Sequence, residues 1–417
     1  MGGGRLLLVS PPVLFVTVWT VASLIAWRVL SHPEQNDLAH LFIARHRLDL
    51  DAFAARPIVW ALVLTGALGL GYALAGLGLG PAGAPLKPVL APAVVARRLF
   101  WVNTLFLAVT VLWVSLTMQA AGGPHAFIRL VGVNPLAARD LLLDRKLFTG
   151  MRLLYAGLPA TAALSAALLV QDGLGRRGRT LCITILALNL AALFLLTLVM
   201  SQRLLVMQLV VSAFVAASVS RGRLLAYWTV PLAAFVFALG WTLHESLTNP
   251  GILRPVTEIA AQKFAFYAVN DLWNTVRPLM GDAPHGNGLF TFQFALFFTL
   301  TDGFVYAAHA DRLEALLAFR GGGEFSLLSA PYVDFGPAGA AAYLIAYGAL
   351  MRVLWHRATF GPGDAAIYGQ AATALLLSVH ANFVASQDFV FAVLIIWLVT
   401  RIPAQVRHSA LAPHAAT

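Results

Sequence analysis

Ten apolar runs recur along this chain, each long enough or nearly long enough to cross a bilayer, and they confine it to a helical membrane bundle. They fall at about residues 6–30, 57–80, 99–121, 151–170, 180–200, 204–218, 224–243, 336–355, 365–383 and 389–400. A helix rises about 1.5 Å per residue and the hydrocarbon layer is about 30 Å thick, so roughly 20 apolar residues span it. Inside that layer each backbone N–H and C=O must find a partner within the protein, which a helix provides by itself. Charge points the same way. Only 11% of the 417 residues are charged, against roughly 25% in a globular domain that must face water. The expected fold class is all-α, a polytopic bundle of about ten transmembrane helices.

Orientation follows from the short basic loops. Lys87, Arg97 and Arg98 flank one; Arg176, Arg177 and Arg179 form another; Arg221 and Arg223 a third; His356 and Arg357 a fourth; Arg401 and Arg407 end the chain. Ten helices with the N-terminus inside place all of these in the cytoplasm, as positive-inside statistics require. The expected location is therefore an inner (cytoplasmic) membrane, with both termini cytoplasmic. The net charge of +10 belongs to these loops and does not call for a nucleic-acid partner. Cys182 is the only cysteine, which excludes an intrachain disulfide and a cysteine-based metal site. The first apolar run is too long for a cleaved signal sequence and reads as a retained helix.

This arrangement divides the chain into helices 1–7 over residues 1–243, a large periplasmic loop over 244–335, helices 8–10 over 336–402 and a cytoplasmic tail over 403–417. The loop contains Pro250, Pro255, Pro278, Pro284 and Pro331 together with "GDAPHGNG" and "FRGGGEF", so short interfacial or re-entrant elements are expected rather than one smooth helix. Within it, residues 289–300 are apolar but short. Many arginines fall on the outward side, among them Arg129, Arg139, Arg254, Arg277, Arg312 and Arg320. Ordinary solvated loop charges and local ion pairs account for most of them. Guanidinium groups that never lose their charge also suit a pyrophosphate. Arg203, wedged between two apolar runs, marks a functional position at the membrane rim or a snorkelling side chain.

Residues 325–355, "FSLLSAPYVDFGPAGAAAYLIAYGALMRVLW", carry an aspartate–aromatic–glycine turn (Asp334, Phe335, Gly336, then Gly339) leading into a late helix. Residues 266–292, "FYAVNDLWNTVRPLMGDAPHGNGLFTF", precede it, and "MSQRLLVMQLVVSAFVAASVSRGR" opens a middle helix at Arg203. Over roughly residues 180–400 these stretches resemble the Wzy-type oligosaccharide repeat-unit polymerases of the O-antigen polymerase superfamily. Gln202 stands between the serine and arginine that the family usually has adjacent.

The resemblance implies transfer of a growing glycan from one undecaprenyl pyrophosphate carrier to the non-reducing end of a repeat unit on another. The donor is already activated, so no nucleotide, metal or other cofactor is implied. The protein's tasks are to stabilise the leaving pyrophosphate and to take a proton from the attacking hydroxyl. Arg203, Arg277 and Arg320 are the candidates for the pyrophosphate, and Asp271, His285 and Glu324 for the base. Tyr267, Trp273 and Tyr332 are candidates for stacking on sugars, although aromatics at these spacings more often form an interfacial belt. Asp334 is expected to cap the helix that follows it. Implied partners are undecaprenyl-pyrophosphate-linked oligosaccharides and membrane lipids, with a chain-length regulator and a flippase.

Three other readings remain. Asp49 and Asp51 form a D-x-D with His46 nearby, which in a lipid-linked sugar glycosyltransferase would bind a divalent metal. An O-antigen ligase shares the architecture and differs in acceptor. A polysaccharide transporter would ordinarily show internal repeats and mid-membrane charges, and neither stands out.

Overall fold

The computed structural model describes residues 6–79, 90–148, 150–200, 203–225, 229–249, 251–281 and 285–401. Lys87 and the expected tail over 403–417 lie outside them. Among the described residues there are helices, turns and no strand. In chain order the helices are α1 (Pro11–Ser31), α2 (Asp37–Arg45), α3 (Ala55–Gly78), α4 (Pro92–Ala120), α5 (Pro124–Val133) and α6 (Pro135–Asp144). There follow α7 (Arg152–Ala156), α8 (Leu158–Leu169), α9 (Gly175–Met200), α10 (Arg203–Ser220), α11 (Thr229–Thr248) and α12 (Val256–Val276). The last six are α13 (Gln293–Phe298), α14 (Asp302–Ala308), α15 (Ala310–Leu317), α16 (Ser329–Arg357), α17 (Pro362–Leu376) and α18 (Gln387–Arg401). Pro11, Pro92, Pro124 and Pro362 sit in first turns, where a missing N–H costs nothing.

Six segments among the described residues are long and apolar enough to cross a membrane: Pro11–Ser31, Ala55–Gly78, Pro92–Ala120, Arg152–Leu169, Gly175–Thr197 and Ser329–Arg357. The other expected runs are helical over part of their length: α11 starts at Thr229, α17 stops at Leu376, and α17 and α18 have 15 residues each. Lipid is the solvent these helices require. Only 11% of the Ala55–Gly78 window is buried, and Leu62 and Leu77 on it are 66% and 85% exposed. Water would not tolerate that apolar surface on a single chain.

At the centre stands α8, whose span with α7 is 83% buried. Its sequence, "LPATAALSAALL", is rich in alanine, so α4, α9, α10 and α17 all approach it closely. Buried polar groups knit this centre. Thr161 Oγ1 donates to Asn103 Oδ1 (2.6 Å), and Asn189 Nδ2 donates to Thr161 Oγ1 (2.8 Å) and to the Leu158 carbonyl (3.1 Å). Along one side α3 and α16 pack over much of their length. They touch backbone to backbone at Gly71, which faces the Ile345 carbonyl, and at Gly348, which faces the Leu68 carbonyl.

The region expected to be a large loop holds a long helix. α12 has 21 residues and lies against α1 and α2, burying Ile259, Phe266, Val269, Trp273 and Val276. Its Glu258, Lys263 and Asp271 dilute its hydropathy, so an apolar-run criterion passes it over. Short helices α13 to α15 follow.

α16 starts at Ser329, seven residues before the expected helix start at 336, and breaks at Gly336, whose φ of 69° is left-handed. Pro337 has no N–H, so the Val333 carbonyl loses its helical donor. The loop supplies replacements: Gly286 N–H donates to Val333 O (2.8 Å) and Asn287 N–H to Asp334 O (3.1 Å). Asp334 therefore does something other than the expected capping of its own helix. Its buried carboxylate accepts the N–H groups of Phe290 (3.1 Å) and Thr291 (2.6 Å), fastening residues 286–291 onto the break.

Candidate functional site

Asn270 and Asn274 lie one turn apart on α12 and so present their carboxamides on one face. Together they hold the glycine run at 321–323. Asn274 Oδ1 accepts the Gly321 N–H (2.7 Å) and Asn270 Oδ1 accepts the Gly322 N–H (2.9 Å), while both Nδ2 groups donate to the Gly322 carbonyl (2.6 and 2.9 Å). Side chains would spoil the clamp, because a Cβ on Gly321 would strike Asn270 Oδ1. Gly323 has φ +91° and lies against the His380 ring. The flanking Arg320 and Glu324 form an ion pair of 2.6 Å across the run.

Asp271, between the two asparagines, turns to His380. Nδ1 of His380 lies 3.0 Å and 3.1 Å from the two Asp271 carboxylate oxygens. His380 occupies the turn between α17 and α18, which is held in place by Leu327 N–H donating to the Ser378 carbonyl and Trp19 Nε1 donating to Ser378 Oγ, each 2.9 Å. A carboxylate only accepts, so Nδ1 carries a proton, and whenever the ring is neutral Nε2 keeps its lone pair. That is the arrangement of a general base with its orienting acid group.

Two cavities meet at this pair. One of about 290 Å³ sets the polar groups of Arg152, Gln293, Glu324, His380, Asn382 and Asp388 among apolar walls such as Leu205, Phe290 and Phe325. An apolar one of about 400 Å³ runs between α1, α11 and α12, past Val21, Ile25, Trp241, Phe264 and Tyr267 to Asp271 and His380. Leu204 and His380 belong to both. In the first cavity Arg152 approaches Asp388 at 3.4 Å, and the other Asp388 oxygen, Oδ1, is buried with no hydrogen-bond partner among the described residues.

Of the residues singled out in the sequence, Asp271, Glu324 and Arg320 converge here. Arg203 opens α10, next to the cavity-lining Leu204, and its side chain lies outside the described part. Arg277 follows the last residue of α12 as its C-cap and stacks on Phe319 at 4.6 Å, with Met280 Sδ 3.6 Å away; it does not line either cavity. His285 is exposed and rests against Gly336 at the helix break. Tyr267 faces the apolar cavity, edge-on to Trp241 at 5.6 Å. Trp273 and Tyr332 are buried, the first donating its indole N–H to the Asp49 carbonyl (2.6 Å), the second packed on Trp60.

In the D-x-D, the Asp49 carboxylate accepts the Asp51 N–H (3.0 Å) and so starts a short 3₁₀ turn. His46 stacks on Phe266 at 5.0 Å, and desolvation, then the Arg45 and Lys263 charges, hold its pKa below the ordinary imidazole value. Among the described residues no three His, Cys, Asp or Glu side chains gather as metal ligands.

His380, Arg152 and Asp388 escape a search of the loops because they sit in or beside apolar runs. Their signal is that position itself, an ionisable side chain where lipid-facing sequence should have none. No family model, curated protein or solved structure matches the chain.

Proposed function

We propose that this protein is a glycosyltransferase of the Wzy type, which polymerises undecaprenyl-pyrophosphate-linked repeat units at the periplasmic face of the bacterial inner membrane. The observation that carries the reading is the junction, at His380 and Asp271, of an apolar cavity with one that holds Arg152, Glu324 and Asp388. An amphiphile with a pyrophosphate between lipid and sugar has the same division. Its polyprenyl chain would follow the apolar groove between α1, α11 and α12, and its sugars would occupy the other cavity. In this reading the ten apolar helical runs cross the membrane with both termini cytoplasmic, which sets the Arg320–Glu324 loop and His380 toward the periplasm.

The chemistry then needs only this chain's groups. Nε2 of His380 takes the proton from the acceptor hydroxyl, and Asp271 stabilises the imidazolium that forms. The hydroxyl oxygen bonds to the anomeric carbon of the donor as its bond to the pyrophosphate oxygen breaks. Arg320 and Arg203 offset the charge that grows on the departing undecaprenyl pyrophosphate. Asp388 Oδ1 offers an acceptor for a sugar hydroxyl. Tyr267 lies where a lipid chain, rather than a sugar, would touch it.

The test is the surface glycan of cells lacking the gene, complemented with wild type or with His380→Ala. A ladder restored by the wild type and a single repeat unit with the variant support polymerisation. Polymer left on the lipid carrier means a ligase instead. A ladder unchanged by deletion sinks the proposal.

A further inference from the structure

A larger apolar cavity lies next along the seam between α1 and α10, and the reaction above has no use for it. Its volume is about 810 Å³, within the ~300–1,000 Å³ of ordinary ligand sites. Where the first groove touches α1 at Val18 to Ile25, this one touches Leu14 of α1 and Leu8 and Val9 in the turn before it; Leu376, the last residue of α17, walls both. Every described lining side chain is hydrocarbon, including Leu169, Val211 and Phe214.

Two basic loops close this end of the bundle. Gln171 Nε2 donates to Ser220 Oγ (2.6 Å), joining the turn after α8 to the end of α10. Beyond Ser220 the chain continues through Arg221 and Arg223 into Leu224 and Leu225, which line the cavity. Beyond Gln171 it continues into Arg176, Arg177 and Arg179. All five arginines are exposed, and none forms an ion pair among the described residues. Asp172 is the one carboxylate in these two stretches.

The geometry points to an anionic phospholipid, with an acyl chain in the cavity and its phosphate at Arg221 and Arg223. A peptide is a poor occupant, since no lining side chain would satisfy its N–H and C=O groups. An acyl chain has none to satisfy. Arginine forks on a phosphate then supply the head-group preference. The binding proposal stands apart from the polymerase reading, because its readout is bound lipid.

The experiment is native mass spectrometry of the full chain in detergent with equimolar phosphatidylglycerol and phosphatidylcholine of matched chains. Wild type should retain phosphatidylglycerol several-fold over phosphatidylcholine. Ala213→Trp, which fills the cavity, should lose both. The double variant Arg221→Ala/Arg223→Ala should hold the two lipids equally. Equal retention by wild type, retention untouched by Ala213→Trp, or a preference untouched by the double arginine variant each overturns the assignment. The arginine variant alters only exposed side chains, so it decides the matter even if Ala213→Trp fails to fold.

Discussion

His380 and Asp271, 109 positions apart in sequence, share a hydrogen bond in which Nδ1 sits almost evenly between the two carboxylate oxygens, at 3.0 and 3.1 Å. The apolar groove and the cavity that holds Arg152, Glu324 and Asp388 meet at this pair. Asp271→Asn keeps the shape and removes the charge that supports an imidazolium. Polymer formation should fall by about 10²–10⁴-fold, with His380→Ala in the same range. The double variant should be no worse than the poorer single one, because the two groups act as a unit. Single-turnover transfer in detergent with a defined lipid-linked repeat measures this.

Arg320 separates a role in chemistry from one in stability. Its ion pair with the half-exposed Glu324 is worth about 0–1 kcal/mol. Arg320→Ala should thus leave the unfolding midpoint nearly unchanged while lowering transfer severalfold. Equal loss of both would make it a structural residue only.

Asp334 should matter for stability more than any nearby loop carboxylate. Asp334→Ala strands the buried Phe290 and Thr291 N–H groups, at a cost of about 2–4 kcal/mol. Asp334→Asn retains one acceptor oxygen and should lose less. Denaturant unfolding in detergent, followed by tryptophan fluorescence, distinguishes the two.

The α3–α16 seam makes opposite predictions for glycines on one helix. Gly71→Ala and Gly348→Ala drive a methyl into an opposing carbonyl, costing about 1–3 kcal/mol each. Gly66 and Gly69 on the same α3 have nothing near their Cβ positions, so alanine there should stay within about 0.5 kcal/mol of wild type. Thermal unfolding of the four single variants is sufficient.

Cys182, the lone cysteine, is fully buried, so wild type offers little background to thiol reagents. With the proposed orientation, His285→Cys should react with an impermeant maleimide in intact spheroplasts. Arg177→Cys should react only after the membrane is opened. The reverse pattern would invert the topology and remove the site from the periplasm.

Most of the bundle is legible in the sequence because lipid forces long uninterrupted apolar runs, as in α1, α3, α4 and α9. α12 is not, since burial against protein lets it keep Glu258, Lys263 and Asp271. The site is half legible for the same reason. Asp271, Arg320 and Glu324 stand out as charges in a region expected to meet water. His380 lies in what reads as a continuous span over 365–383, and only the ending of α17 at Leu376 reveals it as a turn residue. Asp334 is visible as a helix-associated carboxylate, but its partners, at 290 and 291, are set by tertiary contact. Trp273 and Tyr332 look like surface aromatics by composition and are core residues by packing.

The hold of Asn270 and Asn274 on Gly321 and Gly322 is a contact between side chains and main chain. Such a grip reads shape rather than residue identity, so the surrounding sequence is free to drift while the grip stays. Kin of this chain too distant for overall similarity should therefore still share a short signature: an asparagine–aspartate pair, a second asparagine one turn later, a downstream triple glycine between opposite charges, and a histidine closing an apolar stretch.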